Sequence, residues 1–358
     1  MAKFKVVAIS FDHMHVGDLL RFVYTQPDAE IAGVFDPDRS KMAEAIKNFS
    51  IPEDRVFTDF DACLKATNPD LAILCAAPSD HARYTERLAR YGTNVFVEKP
   101  FASSVVDARR MLAAMKPTGK LLAINWPLVW VESHVTAKRL IDEGTIGQLI
   151  EIHFYDGNRG PLYHLAGKVE VTHEQVEKQK PTSWWYMRSS GGGSLLDYLG
   201  YGATLGTWYM NGEAPLEITC ITDYTSGIEV DQHSITVCRY AHGLSKMETR
   251  WGTLTDPWTI QTQPQCGFVL VGTEGTICSP DYAKHITVQT RQKPEATLLP
   301  VDVLREGRRN AVEYVLGCIA KGEPVTGPLD PNLSLIGQRI VDTAALSALE
   351  KRTLALIP

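Results

Sequence analysis

The chain opens as an alternation of short apolar runs and amphipathic stretches. Residues 5–11 read as a buried strand, and across 13–25 the apolar residues Val16, Leu19, Leu20 and Val23 recur at helical spacing. A second strand at 31–35 ends in Asp36-Pro37-Asp38, and 39–49 reads as a helix with Ala43, Ala45 and Ile46 facing in. The alternation continues with a helix at 59–66, a strand at 71–76, a helix at 81–90 and a strand at 95–97. A helix at 103–115, with Ser103 and Ser104 offering the cap, and a strand at 120–124 complete it. Strand, helix, strand in so short a span is a βαβ unit, hence a parallel sheet. The pattern predicts an α/β fold with a first domain over residues 1–125.

Beyond residue 125 the grammar changes. A helix at 132–143 ends at Gly144. Longer alternating runs follow at 147–155, 217–224, 233–240, 246–251, 267–272 and 286–290, separated by turn residues. Helices near 307–320 and 332–351 finish the chain, and 160–190 reads as a long loop. Residues 126–358 are therefore expected to form an α+β domain with an open antiparallel sheet.

Composition narrows the class. A chain of 358 residues can bury two cores, and its net charge, 36 − 42 = −6, argues against nucleic acid or anionic membrane as a partner. The seven cysteines are odd in number and lack metal-ligand spacing, which fits a reducing cytoplasm. No signal-like h-region and no run of ~20 apolar residues is found, so the expectation is a cytoplasmic enzyme.

Candidate chemistry begins with Asn94-Val95-Phe96-Val97-Glu98-Lys99-Pro100. Pro100 cannot continue a ladder. Glu98 and Lys99 are thus left at the carboxyl end of a strand, where open α/β sheets place their ligand crevice. Taken alone, they would read as an exposed ion pair. Ahead of them, an apolar strand runs into Pro78-Ser79-Asp80-His81, a helix and Gly92. The strand, the Pro-x-x-His turn and Glu-Lys-Pro together resemble the Gfo/Idh/MocA family of sugar and polyol oxidoreductases. The resemblance implies a doubly wound Rossmann domain, NAD in preference to NADP, and a small carbohydrate substrate. It also implies a homo-oligomer, dimer or tetramer, assembled through the C-terminal sheet.

Within that resemblance, Asp36 would accept hydrogen bonds from the adenosine ribose and repel a 2′-phosphate. Its alternative is a turn residue before Pro37, and Arg39 nearby tempers the NAD preference. The phosphate loop departs from the family: Ser10-Phe11-Asp12-His13-Met14-His15 replaces all three glycines of Gly-x-Gly-x-x-Gly. Ser10, Phe11, Asp12, His13 and Met14 are the expected pyrophosphate contacts. Asp12 is expected to cap the following helix, placing its carboxylate where the pyrophosphate should sit unless His13, His15 or an outside cation compensates. His13 and His15, two apart on a helix, are expected to point apart, so no metal is expected. Ala77, Pro78, His81, Glu98, Lys99 and Asn125 are expected to complete the cofactor wall. Asn125 matches a family position whose following arginine is absent here.

The second anchor is Ser190-Gly191-Gly192-Gly193-Ser194-Leu195-Leu196-Asp197-Tyr198-Leu199-Gly200-Tyr201. The glycine triplet is read as permitting close approach to a ligand. The family pattern is a Gly-rich turn, an Asp, a His four residues on and then a Trp. Trp208 fixes the register, so Asp197 is the acid and Tyr201 stands at the histidine position. The pair at i and i+4 shares a helical face. A tyrosine titrates near ~10 when unperturbed, and a nearby ammonium lowers that value. The expected reacting set is therefore Lys99, Asp197 and Tyr201. Either Tyr201 is the base with Lys99 as its electrostatic partner, or Lys99 is the base itself, and Asp197 anchors hydroxyls. Asn158, Arg159, Tyr163, His164, Trp184 and Trp185 are candidate sugar contacts. The expected activity is NAD-dependent oxidation of a sugar, sugar derivative or cyclic polyol. The alternatives are an NAD-dependent glycosidase or lyase that oxidises its sugar transiently, and a cofactor-free sugar-binding protein that kept the fold.

Overall fold

The apolar runs of the first third become six parallel strands in a computed structural model that describes residues 3–163, 170–223 and 227–358. They are β1 (Phe4–Ile9), β2 (Ala29–Phe35), β3 (Val56–Phe57), β4 (Leu71–Leu74), β5 (Asn94–Glu98) and β6 (Leu122–Asn125). Their order is β3-β2-β1-β4-β5-β6. Val6 to Ile9, Leu71 to Leu74 and Val95 to Val97 are all fully buried, as expected of parallel strands covered on both faces. The covering helices are α1 (Val16–Thr25), α2 (Ala43–Asn48), α3 (Phe60–Thr67), α4 (His81–Arg90) and α5 (Val105–Met115). Side-chain caps start two of them: Asp59 accepts from the Ala62 amide, and Ser104 from the Asp107 amide. The strand order reverses between β1 and β4, the kind of switch point at which doubly wound sheets take ligands.

Two local expectations are corrected. The first helix begins at Val16, not His13, because the Asp12 side chain is drawn away from the cap position. Residues 39–49 divide into a tight turn, Arg39–Met42, and α2, because Asp38 caps the turn through the Ser40 amide.

The second sheet has nine strands in the order β14-β13-β12-β11-β7-β10-β9-β8-β15. In chain order, α6 (Glu132–Asp142) leads to β7 (Leu149–Asn158), α7 (His173–Gln179) and α8 (Gly200–Tyr209). Then come β8 (Glu217–Thr222), β9 (His233–Arg239), β10 (Leu244–Trp251), β11 (Gly267–Gly272) and β12 (Gly275–Pro280). The strands close with β13 (His285–Thr290) and β14 (Lys293–Pro300), followed by α9 (Ala311–Lys321), α10 (Pro331–Glu350) and β15 (Leu354–Ala355). The sheet is antiparallel except where β7 and β10 run parallel. In β9, buried and exposed residues alternate, the mark of a sheet packed on one face only. Helix α8 lies on the packed face: a Cβ at Gly202 would stand 2.4 Å from the Phe154 ring of β7.

The stretch 160–190 is not the expected long loop. Its described residues carry α7 and the tight turns Lys180–Thr182, Trp184–Tyr186 and Arg188–Ser190. Thr172 and Gln175 form a reciprocal cap before α7: the Thr172 amide donates to Gln175 Oε1 at 2.9 Å, and the Gln175 amide to Thr172 Oγ1 at 3.3 Å.

The chain divides into two compact units. One holds the residues up to Asn125 together with residues 170–176 and Glu306–Pro331, and the other holds Trp126–Tyr163, Glu177–Arg305 and Asn332–Pro358. A single boundary at residue 125 misses the return of the chain to the first unit. There α9 packs against α1 and buries Val312, Val315 and Leu316. Among the described residues no helix is long and apolar enough to cross a membrane, and all seven cysteines are free.

Candidate active site

In the first unit the carboxyl ends of β1, β2, β4, β5 and β6 carry the polar groups. Ser10, directly after β1, holds φ at +64°, a left-handed conformation that favours glycine. The loop thus keeps a glycine-like backbone with a serine in it. Its amides are pinned on both sides: Ser10 donates to the Phe35 carbonyl at 2.8 Å and His13 to the Cys75 carbonyl at 3.0 Å. Asp36 is fully buried, and its two oxygens accept from the Phe11 amide (2.8 Å) and the Asp38 amide (2.9 Å). Burial raises its pKa above the usual 3.8 against the pull of those amides.

Asp12 does not sit at the start of α1, as a cap would. One oxygen accepts from Ser10 Oγ (2.9 Å) and the Ala77 amide (3.1 Å), and the other from Lys41 Nζ (2.6 Å). The compensating cation that the loop requires is therefore Lys41, in the turn after β2. Nothing in its local sequence marks it, because the pairing is tertiary. Arg39 is paired instead with Glu53 at 2.7 Å.

Glu98 closes β5 without any exposure. Its oxygens meet His15 Nδ1 at 2.8 Å and Asn125 Nδ2 at 2.7 Å, so it is not a solvent-exposed strand-end charge. Asn125 Oδ1 is buried and has no hydrogen bond among the described residues. Lys99 follows, 3 % exposed. The expectation that His13 and His15 point apart is overturned. They precede the helix, and their ring centroids lie 4.4 Å apart. His81 does not offer its ring to a ligand, since its nitrogens face the carbonyls of Phe101 (3.1 Å) and Ala76 (2.9 Å). Burial lowers its pKa. Pro78 opens the tight turn before α4, and Phe11 and Met14 are half-buried in the loop.

In the second unit the glycine triplet approaches protein rather than ligand. A Cβ at Gly192 would stand 2.2 Å from the Trp185 carbonyl oxygen, and one at Gly193, where φ is +109°, 2.6 Å from Asp231 Oδ1. Asp231 holds the turn by accepting from Ser194 Oγ (2.6 Å) and the Leu195 amide (2.8 Å). Burial raises its pKa above the usual 3.8. Leu195–Leu199 then winds as a single π-helical turn before α8, a feature frequent at functional sites. Asp197 lies in that turn, 3 % exposed, and accepts from Trp251 Nε1 at 3.2 Å. The Tyr201 ring packs edge-on to Trp126, 5.4 Å between centroids. Sequence reading missed Asp231 and Trp251. Asp231 reaches the turn from the connection before β9 and Trp251 from the end of β10, and neither stands in a local motif.

The candidate sugar contacts fare unequally. Trp184 and Trp185 stack at 3.7 Å, and Trp185 and Tyr186 pack against Trp251 beside Asp197. Asn158 Oδ1 accepts from the Gly160 amide, shaping the turn after β7. The Arg159 guanidinium is committed to buried Asp256, at 2.7 and 2.8 Å, and stands 5.5 Å from the Tyr163 ring centroid. His164 lies outside the described residues.

Comparison with known proteins fixes the class. The profile of the oxidoreductase family with an NAD-binding Rossmann fold matches residues 14–126, and that of the GFO/IDH/MocA C-terminal domain matches 134–278. The chain belongs to the Gfo/Idh/MocA oxidoreductase family. Inositol 2-dehydrogenase of Salmonella typhimurium is 25% identical over 167 residues, 46% of this chain and 48% of that protein. The chain spans under half the length of the curated relatives that it first matches. An aldose-aldose oxidoreductase from Caulobacter crescentus has the same fold, with a TM-score of 0.79 at 19% identity, covering 99% of this chain and 100% of that one. A levoglucosan dehydrogenase solved with NADH and levoglucosan superposes with a TM-score of 0.78 at 16% identity, covering 99% and 100%.

Proposed function

We propose that the protein is an NAD-dependent oxidoreductase moving a hydride between the nicotinamide and a hydroxyl-bearing carbon of a sugar, sugar derivative or cyclic polyol. The observation that carries this reading is the switch point of the six-stranded sheet. A left-handed loop after β1, an acid after β2 and a buried amide–carboxylate pair at β5 and β6 gather at the strand ends there. Sheets of this order take dinucleotides at that place. Sugar and polyol dehydrogenases among the relatives support the substrate class.

Asp36 is assigned to the adenosine ribose, because each oxygen accepts one amide and keeps a second lone pair. Its negative side disfavours a 2′-phosphate, and Arg39 is already turned to Glu53, so NAD is preferred over NADP. The unpartnered Asn125 Oδ1 suits an amide donor such as the carboxamide of the nicotinamide. With Lys41 neutralising Asp12, the loop does not present a bare carboxylate to a pyrophosphate.

When bound, NAD supplies the hydride acceptor. The chain must hold the alcohol and take its hydroxyl proton as the hydride leaves and a carbonyl forms. Lys99 and Tyr201 are the candidate proton acceptors. Asp197, which accepts from Trp251 Nε1, is the proposed anchor for substrate hydroxyls. Lys99→Met and Tyr201→Phe should each slow the chemical step by ~10² or more. NAD affinity should stay nearly intact in both. Full turnover in either variant removes that residue from the reacting set.

The assembly proposed is a homo-oligomer through the second sheet. Its open face exposes Ile221, Ile235, Val237 and Leu244 on neighbouring strands, an apolar patch of the kind that marks interfaces. Sedimentation velocity measures it directly. The seven free thiols support a cytoplasmic location. The decisive experiment offers NAD and a panel of sugars and cyclic polyols to the purified protein and follows reduced nicotinamide. Turnover of a glycoside without NADH accumulation would instead indicate transient oxidation. Absence of any nucleotide binding would overturn the reading.

A further inference from the structure

The loop that replaced the family's glycines brings three metal-ligand side chains together. His13, His15 and Glu98 each offer a ligand atom, and these atoms all lie within 4.8 Å of one another. We propose that they form a binding site for a divalent first-row transition metal, with Zn²⁺ as the best-suited ion. This goes beyond the dinucleotide reading and does not depend on it.

The chemistry of the set is specific. Two imidazoles and one carboxylate are the protein ligands of several catalytic zinc sites, and as a facial triad they hold non-haem iron. Three protein ligands leave coordination open to an oxygen donor, such as a hydroxyl or a phosphate oxygen.

The geometry is nearly assembled. His15 Nδ1 and Glu98 Oε1 stand 2.8 Å apart. A cation bound to both at about 2.1 Å needs them only about half an ångström further apart, with the ring proton moving to Nε2. His13 Nδ1 accepts the His15 amide at 3.2 Å, which holds the two imidazoles beside one another. The second oxygen of Glu98 accepts from Asn125 Nδ2 at 2.7 Å, the outer-shell bond that orients a ligating carboxylate. The His13 amide is pinned beside the end of β4 through the Cys75 carbonyl, and Glu98 is the last residue of β5, so two of the three ligands are anchored to the sheet.

Burial separates this cluster from a surface accident. His13 is 1 % exposed and Glu98 not at all, while the His15 side chain keeps 25 % and gives an entry path. A buried carboxylate calls for a cation or strong donors. The cluster Asp156, Cys266 and Asp281 in the second unit is different in kind. Asp281 already holds His134 at 2.7 Å, the Cys266 thiol is bonded to Gly157 and Thr262, and all three residues are buried.

The test titrates ZnCl2 and CoCl2 into the chelator-treated protein. Calorimetry should show one ion per chain, and Co²⁺ should give the visible absorption of a site of four or five ligands. His15→Ala should lose the Co²⁺ spectrum and weaken Zn²⁺ binding at least tenfold. Its metal-free circular dichroism should match the parent protein. Asn125→Ala, which removes no ligand, should weaken binding 10–100-fold. Should His15→Ala fail to fold, Glu98→Gln replaces it with the same expected loss. Absence of stoichiometric binding, or equal affinity in the parent protein and the ligand variant, overturns the proposal.

Discussion

Ser10 shows at a single residue how the loop kept its shape while losing its glycines. Its φ of +64° costs an L-residue about 1–2 kcal/mol, and its hydroxyl recovers part of that by donating to Asp12. Ser10→Gly relieves the strain but loses the bond and adds chain entropy, so its unfolding free energy should stay within ~1 kcal/mol of the parent. Ser10→Ala keeps the strain and loses the bond, and should cost ~1 kcal/mol. Urea unfolding of both variants measures the gap. If Ser10→Ala is as stable as Ser10→Gly, the left-handed loop is not strained. Asp231 makes the complementary case for charge. Burial raises its pKa above 3.8, so between 3.8 and the raised value the folded state binds more protons than the unfolded one. Stability held below pH ~4 is therefore lost as pH rises through that window. Asp231→Asn cannot titrate and should flatten that part of the stability–pH curve. An unchanged slope assigns it to another group.

At the scale of elements, the parallel sheet was legible because its strands are nearly unbroken apolar runs between caps such as Asp59 and Ser104. What failed were features decided by distant partners. The start of α1 slipped to Val16 because Lys41, 29 residues from Asp12, takes the would-be cap. The 160–190 stretch hid a helix whose Thr172–Gln175 box was short enough to pass as loop polarity. The Gly191-Gly192-Gly193 turn was legible as a place of close approach, but not what approaches it, because Trp185 and Asp231 come from other elements. Of the candidate site, the residues at strand ends were placed by pattern alone. The roles of His81 and Arg159 were not, since Phe101 and Asp256, which hold them, are distant in the chain. Gly192→Ala tests the turn. Its Cβ meets the Trp185 and Trp184 carbonyls at 2.2 and 2.7 Å, backbone that cannot step aside cheaply. A loss of ~1–3 kcal/mol or more is expected, with Trp fluorescence altered by displacement of the stacked pair. A neutral variant would mean that the turn yields without strain.

At the scale of the whole molecule, the nucleotide-binding unit is not a contiguous piece of chain, since α9 returns to pack on α1. A ligand that binds this unit when folded must stabilise it by mass action, and at a hundred times its dissociation constant it adds ~2.7 kcal/mol. NAD should therefore raise the melting temperature by several degrees, and NADP by less if the Asp36 carboxylate has the proposed ribose role, which would disfavour a 2′-phosphate. Asp36→Ala removes that charge and also leaves the Phe11 and Asp38 amides without their acceptor. The nucleotide-free variant should accordingly melt below the parent, and each nucleotide shift is read against the variant's own baseline. On that baseline NAD should gain less and NADP relatively more, narrowing the gap between them. A larger shift with NADP than with NAD in the parent protein would refute the cofactor assignment. An unchanged gap in Asp36→Ala would keep NAD but move the discrimination to another residue.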